Sequence, residues 1–137
     1  MLRKTKTLPR GLRNNNPLNI RIGNTWLGER SNPTDSEFEE FVTIEYGYRA
    51  AFLILRRYIR RYHKNTVTAI ISTWAPSSEN NTIKYIDTVC SLMNIQPDTP
   101  IDYADKQTMV SLVAAMTIVE CGQKVEEKKI SLGYDMA

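Results

Sequence analysis

Apolar residues recur along this chain with two different periods. Near the N-terminal side Leu18, Ile20 and Ile22 alternate with Asn19 and Arg21, the period-2 pattern of a half-buried strand. Turn-forming residues crowd around them: Gly11, Asn14, Asn15, Asn16, Pro17, Gly23, Asn24, Gly28, Asn32 and Pro33. Residues 25–28 and 38–42 offer further short strands, so this third of the chain predicts a small antiparallel β lobe of two or three strands.

From residue 45 onward the period changes to that of amphipathic helices. A first helix is expected over residues 45–62, with Ala51, Phe52, Leu55, Ile59 and Tyr62 on one stripe. Thr66 caps a second, which carries Val67, Ile70, Ile71 and Trp74 until Pro76 stops it. A third starts at residue 81 or 82, buries Ile83, Ile86, Val89 and Met93, and ends before Pro97. A fourth opens on Asp105 as N-cap and runs through Met109, Leu112, Val113, Met116 and Val119 to a closing Gly122. Residues 1–10 read as a flexible basic N-terminus, and residues 123–137 as a charged, solvated tail. The fold class expected is mainly α (α+β), in a single domain over residues 1–137.

Composition narrows the function. With 137 residues, 42% of them hydrophobic, the chain is sized for one compact core. No apolar run approaches the roughly 20 residues of a membrane span. No apolar segment follows the basic N-terminus, so no Sec-type signal peptide is expected. The only histidine is His63, and Cys90 and Cys121 lack metal-ligand spacing, so neither a metal nor an organic cofactor is implied. The cysteines read as two buried free thiols, with a disulfide between them as the alternative.

Charge is unevenly placed. Lys and Arg number 18 against 15 Asp and Glu, a net +3. Arg49, Arg56, Arg57, Arg60, Arg61 and Lys64 supply six positive charges with no acid among them, which leaves 12 against 15, or −3, for the rest. That basic helix suits an anionic polymer such as a bacterial cell wall, or a solvated face paired with glutamates elsewhere. Nucleic acid is a third reading, disfavoured because no recognised nucleic-acid motif accompanies the stripe.

Glu120 is the most informative single residue. It falls four residues after Met116 and seven after Val113, so it continues the apolar stripe and points to the core or a cleft. Desolvation and the negative end of the helix dipole both disfavour its charge. A carboxylic acid kept protonated near neutral pH is what protonates the leaving oxygen of a glycosidic bond. The competing reading is a fraying helix end in which Glu120 pairs with an arginine. Asparagines and Trp26 in residues 10–28 suit a sugar cleft, amides for hydroxyls and an indole for a ring face, though asparagine also serves turns.

The strings RGLRNNNPLNIR, TWLGE, FEEFVTIEYGYRA and TWAPSSENNTIKYIDTV, in that order, resemble a family of small phage and prophage proteins described as virion structural or lytic proteins. The resemblance spans residues 10–122. Departures are Leu18, where the family usually has Gly, and ECG at residues 120–122, where it tends to have ENG. The order of the pieces also resembles a circularly permuted lysozyme-like or glucosaminidase domain, with the Glu-bearing helix VSLVAAMTIVECG last instead of first. Permutation is physically cheap where chain ends lie close.

The resemblance implies a lysozyme-like helical domain that cleaves peptidoglycan glycan strands, as a lysozyme, glucosaminidase or lytic transglycosylase. Glu120 would be the general acid. Asp35 is the preferred second carboxylate over Glu29 and Glu37, and Glu45 is a further catalytic candidate with a competing role as a helix-start charge. Asn15, Asn16, Asn19, Trp26, Trp74 and Tyr85 are the expected substrate contacts. Partners would be peptidoglycan and other virion proteins, and the protein would sit in the virion or in the host cytoplasm before release. The alternative from another class is a non-catalytic structural or wall-binding protein on the same scaffold.

Overall fold

The computed structural model describes residues 7–76 and 78–137. The chain is mainly helical. In order come α1 (Arg10–Arg13), α2 (Ile44–Arg60), α3 (Val67–Trp74), α4 (Glu79–Met93), α5 (Lys106–Cys121) and α6 (Glu127–Met136). Among the described residues no helix is long and apolar enough to cross a membrane.

The caps act as the sequence predicts for two helices, α3 and α5. Thr66 accepts from the Ala69 N–H at 3.1 Å and Asp105 from that of Thr108 at 3.2 Å, while Gly122 closes α5 in the left-handed region at φ +71°. Helix α5 is the axis of the core, burying Met109, Val110, Leu112, Val113, Ala115 and Met116 around most of its circumference. Helix α2 lays Tyr48, Phe52 and Leu55 toward the same core.

Three expectations are corrected. The first is the β lobe: among the described residues there is no sheet, only two isolated antiparallel bridges, Arg21 with Phe38 and Glu29 with Phe41. Inward and outward alternation is present in part, with Leu18 and Ile20 buried and Ile22 exposed. What breaks the strand is asparagine. Asn19 adopts φ +53°, which extended backbone does not allow. The Asn16 amide takes over pairing that a ladder would supply, donating to the carbonyls of Ile20 and Glu39 at 2.9 and 3.0 Å and accepting from the Ile20 N–H at 2.9 Å.

The second correction is the tail. Residues 123–137 are not a solvated extension; they contain α6, which packs chiefly on α2 and also on α5. Ile130 is fully buried, and the Tyr134 ring meets Phe52 edge-on at 5.3 Å and stacks on Tyr103 at 5.3 Å. Gly133 makes the close approach possible, because a Cβ there would stand 2.4 Å from the Cβ of Tyr48. The run of charge at residues 124–129 masked this helix in the sequence.

The third concerns register. Tyr62 lies past the end of α2 and is exposed, and Ile83 faces solvent where it was expected in the core. Of the basic N-terminus, residues 1–6 lie outside the described residues, and Arg10 opens α1 instead of belonging to a flexible arm.

Candidate functional site

Glu120 ends the buried face of α5, one residue before Cys121 and two before the capping glycine. Its carboxyl group is met by side chains from two other parts of the chain. Asn19 Nδ2 donates to Oε1 at 2.8 Å, and the Tyr85 hydroxyl, from α4, donates to Oε2 at 3.0 Å. No lysine or arginine among the described residues forms an ion pair with it. Burial therefore pushes the Glu120 pKa up, and the two hydrogen bonds offset only part of that. Tyr85 is itself buried, and burial together with the neighbouring carboxylate pushes its phenol far above the ordinary range.

Asn19 has a second role. It also stands on the wall of a cleft of about 850 Å³, together with Trp26, Trp74 and the arginines of α2. Trp74 is held by a 3.1 Å bond from Nε1 to the Leu18 carbonyl and by an edge-on contact with Tyr58 at 6.1 Å. Trp26 Nε1 is buried without a hydrogen-bond partner among the described residues. Glu120 does not line the cleft itself; Asn19 is the residue that joins the acid to it.

No family model matches the sequence. Over 117 residues, covering 82% of this chain and 71% of the relative, it is 39% identical to Protein P5 of Pseudoalteromonas phage PM2. The chain belongs to the P5 family. That name states no activity, so chemistry for this P5-family protein has to be argued from its own side chains.

Of the expected site residues, Glu120, Asn19 and Tyr85 come together, and Asn19, Trp26 and Trp74 share the cleft. The rest go elsewhere. Asp35 accepts two bonds from the Arg10 guanidinium at 2.6 and 2.7 Å, one from Asn14 at 2.9 Å, and those of the Glu37 and Phe38 N–H groups. Arg10 first, then these N–H donors, hold its carboxyl far below the usual carboxylate range. It belongs to a smaller pocket with Arg30, Thr34 and Glu40, away from the Glu120 group. Glu45 occupies the first turn of α2, where a negative charge suits the helix dipole.

Asn15 and Asn16 are architectural in this P5-family protein. Asn15, at φ +52°, donates to the Phe41 carbonyl at 3.1 Å, and its own carbonyl lies where a Cβ on Gly47 would stand 2.0 Å away. Asn16 is fully buried with its amide committed on both sides. Cys90 and Cys121 are free thiols, and burial pushes Cys121 up to about 11.

Two features of the site region escaped the sequence. Arg56, Arg57, Arg60 and Arg61 were legible as a basic stripe, but that they face the cleft depends on where Asn19 and Trp26 fold. Glu39 is buried beside Glu29, and burial, then that neighbour, raises its pKa to about 7. The FEEF spacing gave no sign that its first acid turns inward.

Proposed function

We propose that this P5-family protein cleaves the glycan strand of bacterial peptidoglycan, with Glu120 as general acid. The observation that carries the reading is the environment of that carboxyl group: half-buried, free of any cationic partner among the described residues, and bonded to an asparagine on the wall of a tryptophan-bearing cleft. A protonated Glu120 would deliver its proton to the glycosidic oxygen as the bond from the anomeric carbon breaks. Asn19 would rotate off Oε1 to admit the sugar, while Tyr85 keeps Oε2 oriented.

Engagement of Asp35 by Arg10 and Asn14 supports a one-carboxylate mechanism. The ionised Glu120 would then accept a proton from the sugar's own hydroxyl as that oxygen closes on the anomeric carbon, which is lytic transglycosylation. The lysozyme-like, circularly permuted scaffold is part of the same reading, supported by the resemblance in motif order and by the acid's place at the end of the long core helix. So is a role in the virion, or in release from the host cell.

A second reading is a non-catalytic wall-binding or virion structural protein. It is favoured by one observation: both Glu120 oxygens are occupied and the residue does not line the cleft. Clearing of purified peptidoglycan by the wild type and by Glu120→Gln separates the two. The catalytic reading requires clearing that drops by at least about 100-fold in the variant, with anhydro or reducing ends in the released fragments naming the chemistry. No clearing by a folded wild type leaves the binding reading, and equal clearing by both overturns Glu120 as the general acid.

A further inference from the structure

Among the described residues five arginines line the cleft, namely Arg21, Arg56, Arg57, Arg60 and Arg61, and no aspartate or glutamate does. None of the four on or beside α2 forms an ion pair among the described residues; Arg21 alone has one, a loose 3.5 Å contact with Glu37. Arg56 and Arg60 are steadied over the Tyr103 ring at 5.9 and 5.1 Å. Arg57 and Arg61 have exposed side chains.

This arrangement is unfavourable as it stands. Arg56 with Arg60, and Arg57 with Arg61, are like charges one helical turn apart, which repel. The helix dipole welcomes cations in the last turn of α2, but it does not explain why five should converge on one concave wall together with Trp26 and Trp74. An anionic ligand removes the conflict, since each guanidinium binds a carboxylate through two parallel N–H donors.

We infer that the cleft reads the carboxylates of the short peptides attached to the glycan, so that its ligand is a peptide-substituted strand and not one that keeps only the sugar-borne carboxylate an amidase leaves. This rests on the glycan reading above and goes further by assigning the arginines to the acidic substituents while Asn19 and the tryptophans meet the sugars. A phosphodiester chain is the less fitting polyanion. The chain outside residues 49–64 carries a net −3, so the excess of positive charge belongs to α2 and the residues just after it, and no recognised nucleic-acid motif accompanies that stripe.

The test is equilibrium binding of the full chain to soluble glycan strands that keep their peptides, to the same strands stripped by an amidase, and to a single-stranded oligonucleotide. Glu120→Gln is run alongside the wild type to remove turnover. Peptide-bearing strands are expected to bind roughly tenfold or more tightly than stripped ones. The difference should vanish in R57E/R61E, whose folding is checked by circular dichroism and whose exposed sites make the double change tolerable. Equal binding of both strands by the wild type overturns this inference and leaves the glycan reading standing. Failure of both strands to bind overturns the glycan reading with it, and tighter binding of the oligonucleotide assigns the arginines to phosphodiesters instead.

Discussion

Asn19 Nδ2 donates to Glu120 Oε1 at 2.8 Å across 101 residues of sequence. Each residue depends on a separate piece of local structure. Asn19 reaches the acid because its backbone enters the left-handed region, which asparagine tolerates better than most residues. Glu120 is available because α5 continues its buried face into its last turn before Gly122 ends it.

Loss of either hydrogen bond to Glu120 should be visible in a pH profile. Both bonds lower the acid's pKa against the larger effect of burial, so removing one raises it further. On the proposed mechanism the general acid works only while protonated, hence the alkaline limb of kcat/KM should move to higher pH in Tyr85→Phe and in Asn19→Gly, with kcat/KM reduced about tenfold. Glycine is the informative replacement at residue 19, because alanine would add left-handed strain to the lost amide. An unmoved limb in both variants would remove Glu120 as the titrating acid.

Asp35→Asn should damage the fold and leave the chemistry alone. The Arg10 guanidinium and two backbone N–H groups converge on that carboxylate, and the amide satisfies only part of them. Thermal unfolding should move down by several degrees, while kcat of the remaining folded protein stays near that of the wild type. A large fall in kcat with unchanged stability would return Asp35 to the catalytic centre.

Stability should peak in mildly acidic solution. Asp35 and Glu40 have folded pKa values below their unfolded ones, so their stabilisation is present above about pH 4 and is lost as pH falls. Glu39 is shifted the other way, to about 7 from an ordinary 4.5. Its folded form keeps a proton that the unfolded form has lost, so stability declines as pH rises through that window, and Glu120 adds in the same sense. Melting temperatures measured from pH 3 to pH 9 should show this dome, with Glu39→Gln flattening its alkaline side. A curve still rising between pH 5 and pH 8 would contradict the assignment.

Much of the helical plan could be read directly from the sequence because it rests on local rules. Thr66, Asp105 and Gly122 are caps whose chemistry acts within a few residues, and Glu120 sits at a stripe position fixed by its own helix. What remained hidden depends on distant partners. Whether alternation at residues 18–22 becomes a sheet is decided by Asn16, whose amide bonds to Glu39 across the loop. That Asp35 is spoken for depends on Arg10, 25 residues away, and the position of Arg57 in a cleft wall depends on Trp26.

Gly133→Ala tests the last helix. Its new Cβ would collide with Tyr48 on α2, and both atoms belong to packed helices with little room to give. Overpacking of this kind costs about 1–3 kcal/mol, readable as a lower denaturant midpoint with an unchanged slope. A neutral outcome would mean that α6 is not docked on α2 as described.

Asn16 gives the loop region a property usually reserved for sheets. With its amide bonded inside residues 16–20 and across to residue 39, the lip beside the cleft is cross-braced by a side chain instead of by a ladder. The backbone N–H of Ile20 should therefore give up its hydrogen to solvent slowly, like one inside a helix. A lip so braced keeps its backbone shape, and any adjustment of the cleft wall falls to side chains, that of Asn19 and those of the arginines on α2.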